Sequence, residues 1–143
     1  MPPRLSPRLA AIVDALPLQG DSRVLEIGCG PGAAARAIAA RLVTGHILAI
    51  DRSASAIAQA RAAAAEQIAS GRMSVRCIAI EDLILGTDEE RYDIVFAVRV
   101  GALDGRHPKA GEQALQRIAM ATTVGARLFI DGGDPRELPI PKS

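Results

Sequence analysis

Short apolar runs recur along this chain, each stopped by a charged residue or a glycine cluster. Val24-Leu25-Glu26-Ile27, Ile47-Leu48-Ala49-Ile50, Val75-Arg76-Cys77-Ile78, Tyr92-Asp93-Ile94-Val95-Phe96-Ala97-Val98 and Arg127-Leu128-Phe129-Ile130-Asp131 have the length and β-branched content of buried strands. The segments between them carry helical signals. Ser6-Pro7 pairs a capping serine with proline at the first helical position, and Leu9, Ile12, Val13 and Leu16 then follow at helical spacing. Residues 33–42 are alanine-rich and helix-prone. Ser53 can cap a helix running to about Ser70, with Gly71 as its terminator. Between the third and fourth runs lies a polar stretch, Glu81-Asp82 and Thr87-Asp88-Glu89-Glu90, with room for a short helix. A last helix is expected from Lys109 to Val124, with Leu115, Ile118 and Thr122 on one face and Gly125 closing it.

Continuously apolar strands alternating with helices predict an α/β fold, a doubly wound parallel sheet covered on both faces. Right-handed crossovers and the early glycine loop give the strand order 3-2-1-4-5. The expected organisation is a single domain over 1–143: an N-terminal helix at 6–16, an α/β core at 22–131 and a proline-rich tail at 132–143. That tail, with Pro135, Pro139 and Pro141, is too short for a hairpin of two further strands, so a sixth and seventh strand are not expected. The fifth strand would then be a sheet edge. Either the tail covers it or a second copy does, as a homodimer.

Composition narrows the classes of function. The net charge is +1 and the arginines are dispersed, which argues against a phosphate-binding face. Tyr92, Phe96 and Phe129 are the only aromatics, and both phenylalanines lie in apolar runs, so base-stacking platforms are absent and nucleic acid is a poor substrate. No apolar run approaches the roughly 18 residues that span a bilayer. Asp14 interrupts the N-terminal apolar stretch, so a signal peptide is not expected and the reading is cytoplasmic. Cys29 and Cys77 are too few for a metal site or a disulfide framework.

The chemistry concentrates in Gly28-Cys29-Gly30-Pro31-Gly32, after the first strand. In a doubly wound sheet that place is the ligand crevice, where strand order reverses. The three glycines let the backbone turn sharply and approach a ligand, and the following helix offers its N-terminal N–H groups. Glycines there are also ordinary turn residues, and Gly28-x-Gly30-x-x-Ala33 fits the relaxed dinucleotide fingerprint. Glu26 moves the reading: it would repel a pyrophosphate and welcome a cationic amino acid. Asp51 closes the second strand, placed to accept ribose hydroxyls or to partner Ser53 at a helix start. Glu81-Asp82 follows the third strand, where an acceptor can meet an exocyclic amine, or where two acids simply face solvent. Asp93 starts a strand at the wrong end of the sheet for chemistry and is assigned to structure.

Taken together, Val24 to Gly32 resembles motif I of the class I S-adenosylmethionine-dependent methyltransferases. The resemblance extends through Ile50-Asp51-Arg52 and Ile80-Glu81-Asp82-Leu83 to Tyr92-Asp93-Ile94-Val95-Phe96, roughly residues 20–131. It implies that Glu26 and the loop of Gly28, Cys29, Gly30 and Gly32 hold the methionine amino and carboxylate groups. By the same resemblance Asp51 binds the ribose, Arg52 lies along the adenine, and Glu81 accepts from its amine. The Ile80 or Asp82 N–H would reach a ring nitrogen, and Ala97 and Val98 would line the methionine side. The cofactor would be S-adenosyl-L-methionine, with S-adenosyl-L-homocysteine as product.

The acceptor half is less specified. Arg99, Asp104 and His107, after the fourth strand, are candidates for holding an anionic acceptor or taking its proton. Asp104-Gly105 is equally turn chemistry, and His107-Pro108 is equally a helix start. Ala97-Val98-Arg99-Val100 stands where amino-group methyltransferases carry an Asn/Asp-Pro-Pro-aromatic motif, which disfavours nucleobase or glutamine nitrogen as acceptor. A small-molecule acceptor is expected. A non-catalytic cofactor-binding or partner module and an NAD-dependent oxidoreductase stay as alternatives.

Overall fold

A computed structural model of the chain describes residues 5–98, 100, 103, 107–130 and 136–142. The elements in order are α1 (Pro7–Ala15), β1 (Arg23–Ile27), α2 (Ala33–Ala39), β2 (His46–Asp51), α3 (Ala54–Ala63), α4 (Ala65–Ala69), β3 (Met73–Cys77), a 3₁₀ turn (Ile80–Asp82), β4 (Tyr92–Ala97), α5 (Pro108–Ala121), β5 (Thr122–Ile130) and β6 (Arg136–Leu138). They form one six-stranded sheet of order β3-β2-β1-β4-β5-β6. The first five strands are parallel, as the sequence predicts, and β6 runs antiparallel to β5.

Strand alternation divides the core into two layers. On one face Val24, Ile47, Ala49, Phe96 and Phe129 pack with Ile12 and Val13 of α1, Ile38 of α2 and Ile57 of α3. On the other, Leu25, Ile27, Leu48, Ile50, Val95 and Leu128 pack with Ile80, Leu83 and the α5 residues Ala114 and Ile118. Both faces of the central strands are thus buried, which is why those strands read as continuous apolar runs. Two expected caps form. The Ser6 Oγ accepts from the Leu9 N–H at 3.2 Å, and the Ser53 Oγ accepts from the Ala56 N–H at 3.1 Å. Asp93 is structural: its Oδ1 accepts the Arg23 N–H at 3.1 Å and joins the starts of β1 and β4.

Three elements differ from expectation. The helix after Ser53 breaks at Ala64 (φ −104°, ψ 20°) into α3 and α4, with Gly71 still closing it at φ +83°. The last helix stops at Ala121, because Thr122 turns extended and pairs with Tyr92. The chain then bulges before Arg127 pairs with Ile94, with Gly125 at φ +85° inside the bulge. Most consequentially, a sixth strand exists. Leu128, Phe129 and Ile130 pair with Leu138, Glu137 and Arg136, and Arg127 makes a two-pronged ion pair with Glu137 at 2.8 and 3.0 Å. The tail has length for one short strand though not for a hairpin, and its prolines flank that strand without interrupting it. It covers the end of β5 nearest the carboxyl ends of the parallel strands. Among the described residues no helix is long and apolar enough to cross a membrane.

Candidate functional site

The carboxyl ends of β1 to β4 converge on a cavity of about 630 Å³. Gly28, Asp51, Arg52, Ile80, Glu81, Val98 and His107 all line it, so the sequence-predicted residues of four strand ends, β1 to β4, and one acceptor-side candidate come together. Ile27, Ile50, Ile78, Ala79, Val100 and Ala110 complete its wall. The strand-end isoleucines close apolar runs already legible in sequence. Val100 and Ala110 reach the cavity only through tertiary packing, and no local signal marks them.

The glycine loop is built by backbone conformation. Gly28, Gly30 and Gly32 have φ of +75°, +54° and +85°, a region that side chains with a Cβ rarely adopt. A Cβ on Gly28 would meet the Val100 side chain at 2.9 Å, whereas one on Gly30 would enter open space. Gly32 lies outside the cavity wall, and its Cβ would stand 3.1 Å from the Ala60 Cβ. Its missing side chain therefore serves the packing of α2 against α3 rather than ligand approach. The loop is fastened to β2, with the Gly28 and Cys29 N–H groups both donating to the Ile50 carbonyl at 2.8 and 3.0 Å.

Glu26 is 3% exposed, and its Oε1 has no hydrogen-bond partner. Burial, with the Asp51 charge nearby, pushes its carboxyl up to about 8, so near neutral pH it holds a proton. An unpartnered buried carboxyl calls for an explanation, and Glu26 lies outside the cavity wall, just before the glycine loop. Cys29 is buried, and burial, Glu26 and Asp51 push its thiol up to about 12, which makes it an inert packing group.

Asp51 does both things weighed for it in sequence. Its Oδ1 accepts the Ser53 N–H at the start of α3, and its Oδ2 accepts the Gly30 N–H, each at 2.9 Å, while the side chain borders the cavity. Glu81 is half-buried, its backbone carbonyl held by Gln113 Nε2 at 2.9 Å and Arg117 Nε at 3.2 Å from α5. Asp82 is exposed outside the cavity wall, and its N–H is spent on the Ala79 carbonyl at 3.0 Å. The tight 3₁₀ turn consumes that donor, so of the two backbone donors expected there only Ile80 borders the cavity. Arg52 is exposed on the rim. Ala97 is buried behind the wall and Val98 forms part of it. His107 is exposed at the start of α5, where its side chain makes no capping bond. Arg99 and Asp104 lie outside the described residues. No cluster of three potential metal ligands occurs among the described residues.

The chain has no significant match among the curated proteins. Solved structures match in fold. The YcgJ protein from Bacillus subtilis is 17% identical, with a TM-score of 0.68 over 85% of this chain and 48% of that one. A coclaurine N-methyltransferase bound to N-methylheliamine and S-adenosylhomocysteine is 20% identical, with a TM-score of 0.69 over 85% of this chain and 34% of that one. A [4+2]-cyclase, SpnF, is 23% identical, with a TM-score of 0.70 over 85% and 42%. The chain thus spans a third to a half of the length of these structures. Residues 24–125, from the first strand to the bulge in β5, match the family described as methyltransferase domain. With that match over most of its length and the Rossmann-like fold around its glycine loop, the chain belongs to the methyltransferase-domain family.

Proposed function

We propose that the protein is an S-adenosylmethionine-dependent methyltransferase acting on a small-molecule acceptor. The buried, unpartnered Glu26 carboxyl beside the glycine loop carries this reading. An ammonium would supply the missing partner and restore the ionised form, whereas a pyrophosphate would leave the carboxyl protonated and bring it no cationic partner. The other residues fit the same ligand. Asp51 would take the ribose hydroxyls, Glu81 the adenine amine, and the Ile80 N–H a ring nitrogen, with Arg52 along the adenine face. When bound, S-adenosylmethionine supplies a methyl group on a good leaving group, so the protein's contribution is chiefly alignment and exclusion of water. Ile27, Ile50, Val98 and Val100 supply the apolar part of the wall against which the ligand would be aligned.

On the acceptor side His107 borders the same cavity and is available to take the acceptor's proton. The two free cysteines, Cys29 and Cys77, fit a reducing, cytoplasmic setting. A second reading keeps the cofactor without methyl transfer. The exposure of His107, whose side chain makes no capping bond, favours that reading.

Calorimetry with S-adenosylhomocysteine and NADH separates the ligand classes, and transfer of a labelled methyl group across a panel of phenols, amines and thiols separates enzyme from binding module. Preferential binding of NADH would overturn the proposal. Tight S-adenosylhomocysteine binding without turnover would move the assignment to the binding module.

A further inference from the structure

The glycine loop is fastened to β2 at two points, both at the end of that strand. Its first half is gripped by a backbone group, since the Gly28 and Cys29 N–H groups converge on the Ile50 carbonyl. Its second half is gripped by a side chain, since the Gly30 N–H donates to Asp51 Oδ2 at 2.9 Å. Gly30 sits at φ +54° with open space where a side chain would stand, so no side-chain packing of its own fixes it there. The other oxygen of the same carboxylate accepts the Ser53 N–H at 2.9 Å, which orients the carboxylate from the start of α3. A carboxylate offers about four acceptor sites, so these two bonds leave one on each oxygen.

We infer that Asp51 is a positioning residue for the glycine loop, tying ligand contact at the ribose end to the order of the loop that receives the amino-acid end. The inference rests on the proposed cofactor for its ligand half only, because the Gly30 and Ser53 bonds exist in the protein without ligand. A carboxylate that merely touched ribose would leave the loop unchanged when removed. A carboxylate that also holds Gly30 takes the amino-acid subsite with it. The two ends of the ligand then gain affinity together, because ordering the loop once serves both.

Two measurements on the full chain test this. Hydrogen exchange on ligand-free Asp51→Ala should show the Gly30 amide exchanging at least about tenfold faster than in the wild type, the loss expected of one charge-assisted bond. Asp51→Asn, which keeps one acceptor oxygen for two donors, should show a smaller rise in the same direction. The Gly28 and Cys29 amides, on the Ile50 carbonyl, should keep their protection. Ser53→Ala, which removes a helix cap while keeping the backbone donor to Asp51, should leave Gly30 unchanged. In calorimetry, Asp51→Ala should weaken S-adenosylhomocysteine about tenfold more than 5′-methylthioadenosine, which keeps the ribose and lacks the amino-acid tail. Asp51→Asn covers the case in which the alanine variant fails to fold.

Unchanged Gly30 exchange, or equal losses for the two nucleosides, would overturn the inference. If the wild type binds neither nucleoside, the proposed cofactor is wrong and the exchange measurement decides the positioning role alone.

Discussion

Glu26 shows how much one side chain can constrain a site. Its position two residues before the first glycine is visible in sequence, but its energetic state is not. Strand alternation places it on the same face of β1 as Val24, in the buried interior, where a charged carboxylate is costly without a partner. Glu26→Gln keeps the shape and removes the charge. It should weaken S-adenosylhomocysteine by at least about tenfold, the loss of one charge-assisted contact, while leaving adenosine affinity nearly unchanged. Parallel calorimetry with the two ligands checks this, and equal losses for both would mean that Glu26 does not face the amino-acid end. Asp51 teaches a related lesson. Capping and ligand binding are competing readings of an acid after a strand, and the structure lets one carboxylate border the cavity while serving two backbone donors.

At the scale of elements, the glycine loop and the sheet edge carry the consequences. Gly28 and Gly30 look equivalent in the sequence pattern, yet only Gly28 has a neighbour against it, the Val100 side chain. Gly30→Ala should cost only the left-handed backbone penalty, roughly 1–2 kcal/mol. Gly28→Ala adds the Val100 contact to that penalty and should cost more in both stability and ligand affinity; chemical denaturation of the two variants ranks them. The β6 strand was not legible because pairing is a tertiary event: three residues with modest strand propensity become a strand only where β5 offers free donors and acceptors. Leu138 and Ile140 also pack on the second core layer. Deleting 136–142 should therefore uncover β5 and produce concentration-dependent self-association in sedimentation. Glu137→Ala, which breaks only an exposed ion pair, should leave the protein as the wild type behaves.

For the molecule as a whole, pH links stability to ligand. The Glu26 carboxyl has an ordinary value of 4.5 and sits at about 8 in the fold. The folded protein therefore binds a proton that the unfolded chain releases across this window. Its contribution to stability is fully present below 4.5 and is lost as pH rises through about 8. A thermal-denaturation series should show this decline in the ligand-free protein and a flatter profile for Glu26→Gln. Binding an ammonium beside Glu26 reverses the balance, because it favours the ionised form. Affinity for S-adenosylhomocysteine should rise with pH across the window and level off above it, with release of up to about one proton on binding. Titrations in buffers of different ionisation enthalpy measure that proton, and its absence would place the ammonium elsewhere.

The pattern of apolar runs, glycines and capping residues determined the parallel sheet, its order through β5 and the acids at three strand ends. These are local signals, set by side-chain period, backbone freedom and short-range hydrogen bonding, and they survive in a one-dimensional reading. Only the tertiary structure decided what each acid faces. It buried Glu26 without a partner, gave Asp51 two donors from separate elements, brought Glu81 to the cavity, and turned Asp82 out of it. It also decided the edge, where a proline-bearing tail becomes β6 because an unpaired strand lies within reach. Burial, convergence and pairing depend on residues far apart in the chain, and for that reason no stretch of sequence contains them.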